Sequence, residues 1–257
     1  MNRIIIGNGK SKFEKVKEDK VIIDIKKDVN LYIDSKYSNY VINVDCCKVN
    51  ILLIREKSNN IDIKLNINKS FVSFNNISYL SSNLKLEANL NSKESKILIN
   101  NSVISSKKVC YDVLVNHNYA NTISDIYNNG VTKDDGSIIF NVVSKVPKKS
   151  IKSIVNQDSK IITLNDISES KINPILLIDE YDSEAKHSAF IGNFKTSELF
   201  YMQSRGLSKK EASNLLIRGM LIGTLDLCFD EKEKLKDKLN TNWRWFYEYL
   251  WWFFDFK

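Results

Sequence analysis

The 257-residue chain is poor in the residues that punctuate most folds. It has 8 Gly and 2 Pro, which excludes collagen-like and proline-rich classes and speaks against folds built on glycine-rich phosphate loops. Its four Cys, at Cys46, Cys47, Cys110 and Cys228, form no C-x-x-C pair. Adjacent cysteines are poor disulfide partners for each other, so reduced thiols in a cytoplasmic protein are expected. The two His, His117 and His187, lie far apart, and neither has a Cys or His at zinc-finger spacing. No G-x-G-x-x-G, H-E-x-x-H or G-x-S-x-G occurs, which argues against an autonomous enzyme. Gly9-Lys10-Ser11 looks like the end of a P-loop, but Ile4 stands where the first Gly is needed and the residues that follow are mostly charged. No nucleotide is expected on this chain. The apolar run after Met1 is too short for a signal peptide, and no stretch reaches the about 18 apolar residues of a membrane span.

The formal charge is +7. Acidic residues are interspersed throughout and arginines do not cluster, so the basic balance reads as the Lys-, Asn- and Ile-rich output of an AT-biased coding sequence rather than as a nucleic-acid footprint. Neither nucleic acid nor membrane is expected as a partner.

Residues 20 to about 165 read as strands. Ile61, Ile63, Leu65 and Ile67 alternate with Asp62, Lys64, Asn66 and Asn68; Leu84, Leu86, Ala88 and Leu90 alternate with Lys85, Glu87 and Asn89. A period of two puts one face in a core and the other in water. Further runs lie at Val21–Ile25, Leu31–Ile33, Val41–Val44, Val49–Ile54, Phe71–Ile77, Ile97–Ile99, Val109–Val115 and Ile138–Val143. Their spacing suits a sandwich, barrel or solenoid. The turns favour the solenoid: Asn129-Gly130 and Asp135-Gly136 are the only good hairpin signals, and the other breaks are Asn59-Asn60, Asn75-Asn76, Ser81-Ser82 and Asn100-Asn101. Asn tolerates the left-handed conformation and turns a corner without Gly. No exact repeat is present.

The pattern changes at Phe194, which divides a β core over residues 1–193 from a helical region over 194–257. Thr196 opens a short helix ending near Ser204, with Gly206 suited to a left-handed C-cap. Ser208-Lys209-Lys210-Glu211 is a capping box, and the helix it opens carries a broad apolar stripe through Leu225. All four Trp fall between Trp243 and Trp252, in an aromatic tail expected to close the fold and meet a partner subunit.

Two stretches carry a family resemblance. The first is His117-Asn118-Tyr119-Ala120-Asn121-Thr122-Ile123-Ser124-Asp125, leading to Gly130-Val131, Asp134-Asp135-Gly136 and Val155-Asn156-Gln157. The second is Pro174-Ile175-Leu176-Leu177-Ile178, then Ala185-Lys186-His187-Ser188-Ala189-Phe190-Ile191-Gly192, then Leu199-Phe200-Tyr201-Met202-Gln203-Ser204-Arg205-Gly206, with Glu211-Ala212 beyond. This order resembles the core of the SufB/SufD family, scaffold subunits of the SUF iron–sulfur cluster assembly system, over about residues 110–225.

The resemblance implies a right-handed parallel β-helix with a C-terminal α-helical region. It implies a non-catalytic scaffold that pairs through its β-helix with a SufB/SufD-type paralogue or with itself, and docks a SufC-like ABC ATPase through its helices. A transient iron–sulfur cluster at the subunit interface is the implied cargo. SufB-type subunits carry a Cys just after the Gln matched by Gln157; here Asp158 and Lys160 follow, which favours the SufD type. His187 is then the candidate cluster and metal ligand, with Asp182 and Glu184 as possible oxygen donors. His117 is read as structural. Arg205, Leu216, Ile217 and Arg218 are the candidate ATPase contacts. The alternatives are a carbohydrate-active β-helix enzyme using Asp112, Asp125, Asp134 and Asp135, and a basic nucleic-acid-binding β protein.

Overall fold

The computed structural model describes residues 3–6, 14–17, 20–33, 37–55, 58–79, 81–164 and 169–236. The P-loop look-alike and the aromatic tail Trp243–Phe256 lie outside them. The chain divides into two compact units, Met1–Glu198 and Leu199–Lys257.

The first unit is a parallel β-solenoid. Its strands are β1 (Arg3–Ile6), β2 (Glu14–Lys17), β3 (Lys20–Ile25), β4 (Val29–Ile33), β5 (Asn39–Asp45), β6 (Lys48–Arg55), β7 (Ile61–Asn68), β8 (Phe71–Ser78), β9 (Leu84–Leu90), β10 (Lys96–Ser105), β11 (Lys108–His117), β12 (Ile123–Thr132), β13 (Ser137–Val146), β14 (Ser153–Thr163), β15 (Lys171–Ile178) and β16 (Ser183–Gly192). From β3 onward the chain alternates between two sheets, one ordered β1-β4-β6-β8-β10-β12-β14-β16 and the other β15-β13-β11-β9-β7-β5-β3-β2. All pairings are parallel except β2 with β3, which is antiparallel. Each coil gives one strand to each sheet, and the inward residues of both fill a single core that includes Ile63, Phe74, Leu86, Ile99, Val113, Ile126 and Phe140. Tyr111 meets Phe140 edge to face, ring centroids 5.8 Å apart.

The stacking explains why no repeat is visible in the sequence. Asn43 donates to Asp24 across 19 residues, Asn66 to Asn43 and Asn89 to Asn66 across 23 each, Asn116 to Asn89 across 27, and Asn173 to Asn141 across 32. The coil lengthens along the chain as its strands lengthen, so residues stacked in space have no fixed sequence period.

These ladders also correct the reading of the Asn pairs. Asn75-Asn76 and Asn100-Asn101 are not corners; they lie within β8 and β10. Neighbouring residues on a strand face opposite sides, so each pair serves two ladders. Asn100 donates to Asn75 and Asn75 to Asn50, at 3.0 and 2.9 Å. On the other face Asn76 donates to Asn101, Asn101 to Asn128, and Asn128 to Ser159. The amide NH2 groups are thereby bonded, while the buried carbonyl oxygens of Asn76 and Asn100 at the ladder ends accept no hydrogen bond. Asn129-Gly130 is likewise strand, inside β12. A Cβ on Gly130 would approach Ile138 Cδ1 to 2.9 Å, so this glycine serves close packing between rungs. Asp134-Asp135-Gly136 is a turn, with Asp134 at φ 53°, but it joins strands of different sheets and closes no hairpin. The left-handed corners fall mostly on residues other than Asn: Cys46, Lys69, Glu94, Lys149 and Lys152, with Asn121. Bonds between coils hold them, such as Cys46 N–H to Asn68 O at 3.0 Å and Asn121 N–H to Ile151 O at 2.8 Å.

The second unit takes in most of α1 (Thr196–Ser204) and all of α2 (Lys209–Gly223), with a further helical segment at 229–236. Gly206 sits at φ +89° past α1, where its N–H bonds Gln203 O. The capping box of α2 is formed: Ser208 Oγ accepts from Glu211 N–H at 3.2 Å, and Glu211 Oε2 accepts from Ser208 N–H at 2.8 Å. The Ser208 hydroxyl, which donates to Glu211 Oε2 at 2.7 Å, and then the Ser208 N–H hold the Glu211 carboxyl below its usual range. Among the described residues no helix is long and apolar enough to cross a membrane.

Candidate functional site

The solenoid's interior rungs are each followed by another rung, but among the described residues no strand follows the last one. β15 and β16 are the outermost strands of their sheets at the C-terminal end. Their residues are exposed or half-buried on both faces, whereas β11 to β14 each have a buried face. Ile175, Leu177, Phe190 and Ile191 are exposed there. Pro174 sits in β15, in keeping with the confinement of proline to edge strands.

His187 lies midway along β16, in register with Gln157 on β14. Val155, Gln157, Ser159 and Ile161 are the buried, inward positions of β14. Their partners Ala185, His187, Ala189 and Ile191 therefore continue the inward columns. His187 thus stands at the mouth of the solenoid, exposed because no rung covers it. Asp158 faces the other way and accepts from Ser188 Oγ at 2.6 Å. Lys160 places its ammonium 5.5 Å from the Phe190 ring centre on that outer face.

The proposed oxygen donors do not join His187. Glu184 is three residues away on the same strand and so on the opposite face. Asp182 lies in the preceding loop, where its carbonyl accepts from Lys152 N–H. Among the described residues no three His, Cys, Asp or Glu side chains gather as a metal would need. The carboxylates of the carbohydrate-enzyme alternative are also separated. Asp112 is on β11 of one sheet, accepting from Asn141, and Asp125 is on β12 of the other, accepting from Asn156.

His117 is the opposite of His187. It is fully buried, with Nδ1 2.8 Å from Thr122 Oγ1 and Nε2 2.8 Å from Ser124 Oγ. Burial pushes its pKa down to about 4, so the ring is neutral at physiological pH. Neither Cys110 nor Cys47 is an activated thiol. Cys110 is pushed up to about 11, by burial first and then by the Asp112 carboxylate 3.4 Å away. Burial also raises Cys47.

In the helical unit Arg205 is exposed and lies over the Tyr201 ring, 5.3 Å from its centre. Leu216 and Arg218 are half-buried. Ile217 requires a correction: it is 1% exposed, so it offers no contact surface. The outward position is its neighbour Leu215, 49% exposed, on a line with Glu211 and Gly219. Four-residue spacing carried that signal, and the breadth of the apolar stripe obscured it. Phe200 and Tyr201 on α1 are exposed as well.

A laddered solenoid with an open, histidine-bearing last rung, followed by capped helices, is the setting for the sequence match. Residues 55–220, about two thirds of the chain, match the family described as SUF system FeS cluster assembly, SufBD core domain. The chain belongs to the SufBD family. It is 41% identical over 96 residues to the iron–sulfur cluster assembly protein SufD of Bacillus subtilis, covering 37% of this chain and 22% of that protein. It is 25% identical over 144 residues to SufD of Escherichia coli, covering 55% and 34%. A SufBD family protein of Pyrococcus horikoshii is 31% identical over 91 residues, 35% and 20% of the two lengths. The chain therefore matches about a fifth to a third of the length of these curated relatives. The matched segment holds His117, His187, Arg205 and most of α2, and its start at Arg55 leaves β1 to β5 and most of β6 outside the match.

Proposed function

We propose that this chain is a non-catalytic, SufD-like scaffold subunit of a SUF-type assembly complex, acting in the cytoplasm with a SufC-like ABC ATPase and a second β-helix subunit. The observation that carries the reading is the open last rung. Unpaired strand edges are templates for another chain, and β15 and β16 present such edges, with His187 on β16. One imidazole cannot hold a cluster, so a cluster bound here takes its other ligands from the subunit that covers the rung. The second subunit is a SufB/SufD-type paralogue or another copy of this chain. The cluster is cargo, assembled and released. Asp158 cannot carry a persulfide, so sulfur is received on a partner's thiol. The helical unit docks the ATPase through Leu215, Leu216 and Arg205, with Arg218 at the rim.

Co-expression with a SufC-like ATPase and a Cys-bearing SufB-type subunit tests this. Stoichiometric co-purification is expected. Leu215→Asp combined with Leu216→Asp should release the ATPase while the melting temperature of the isolated chain is kept. A chain that stays monomeric and shows no ATPase affinity overturns the proposal.

A further inference from the structure

Gln157 lies on the rung beneath His187, in the same inward column, and is 2% exposed. Its amide is anchored across the solenoid. Nε2 donates to Ser144 Oγ at 2.8 Å and to the Ile175 carbonyl at 3.3 Å. A carbonyl only accepts, so the atom facing Ile175 is the NH2 group and the amide has one orientation. The remaining atom, Oε1, is buried and has no hydrogen-bond partner. Buried acceptors are costly to leave unmet, and each one that stands alone calls for a donor. The next rung offers one. His187 is in register directly above, and its ring makes no hydrogen bond among the described residues.

We infer that Gln157 is a positioning residue for His187. Rotation of the exposed His187 side chain brings one imidazole N–H onto Gln157 Oε1. The other ring nitrogen, now without a proton, faces the open end. A histidine that binds a metal commonly donates its second nitrogen to a carbonyl or carboxylate, which fixes both tautomer and ring direction. An inward-facing amide, itself held by Ser144 and Ile175, supplies that carbonyl from the rung below. The purpose of the arrangement rests on His187 being a cluster ligand; the hydrogen bond itself does not, and it is measurable in the chain alone.

The chain contains two histidines, so long-range nitrogen–proton correlation spectra of the imidazoles resolve two ring systems, with His117 as an internal control for folding. At pH 8, Gln157→Met is expected to shift the ratio of the two neutral His187 tautomers by about fivefold, the scale set by one net hydrogen bond. Ser144→Ala, which frees the amide, should shift it in the same direction. Gln157→Glu should restore the wild-type tautomer. An unchanged ratio in Gln157→Met, with His117 signals in place, shows that water meets Oε1 and overturns the inference. If Gln157→Met disturbs His117, Ser144→Ala and Gln157→Glu decide in the same way. Iron and sulfide content of the assembled complex with His187→Ala reads the ligand role separately. Unchanged content there removes the cluster reading while leaving the tautomer result standing.

Discussion

The two histidines show how one solenoid provides two different environments. His117 lies in a closed rung, where hydroxyls from the corner and the next strand meet both ring nitrogens and burial holds the ring neutral. His187 lies on the last rung, where the same inward direction leads to an open end. A side chain's position along the stack, more than its own type, decides whether it is structural or available. A solenoid has no intrinsic end; another strand pair can always be added, and among the described residues no strand follows β15 and β16. Changes in the closed rungs should therefore cost stability, and changes at the open end should cost association.

The largest effect is expected in the closed body. Phe140 is fully buried against Tyr111, and Phe140→Ala should lower the unfolding free energy by about 3–5 kcal/mol. Urea denaturation checks it, and a loss below 1 kcal/mol would mean that the core relaxes around the gap. The His117 rung is the next test. An ordinary histidine near 6.5 is held at about 4, so the unfolded chain binds the proton more readily than the native one. Stability from this group is fully present above pH 6.5 and is lost as the pH falls through 4, by about 3 kcal/mol in total. Urea midpoints between pH 7.5 and 4 should show this slope, and His117→Gln should flatten it from a lower starting stability.

At the open end the expected order reverses. Ala189→Lys with Ile191→Lys places charges in the exposed inward column of β16, and should abolish pairing with a second β-helix subunit while changing unfolding free energy by less than about 1 kcal/mol. Light scattering of the mixed subunits distinguishes this from a pairing surface elsewhere. The smallest effect on stability belongs to His187→Ala, within about 0.5 kcal/mol, accompanied by reduced cluster recovery on the complex. A marked loss of stability in that variant would mean that the last rung is closed like the others.

What the sequence determined by itself was local. Strict alternation at Ile61–Asn68 and Leu84–Leu90 specified strands with one buried face, because pleat period and side-chain polarity are read residue by residue. Ser208 and Glu211 specified the start of α2 for a similar reason, since a capping box closes within four residues. The matched motifs placed His187 and the helices in a family. Only the tertiary structure decided what depends on partners 19 to 32 residues away. Asn75-Asn76 and Asn129-Gly130 look like turns locally, yet ladder bonds and close packing between rungs hold them in strands. Ile217 and Leu215 are equally apolar in sequence, and the direction of α2's buried stripe alone separates core from surface. The pairing of Gln157 with His187 depends on a 30-residue coil returning in register, and coil length drifts along this chain, so no sequence period announces it.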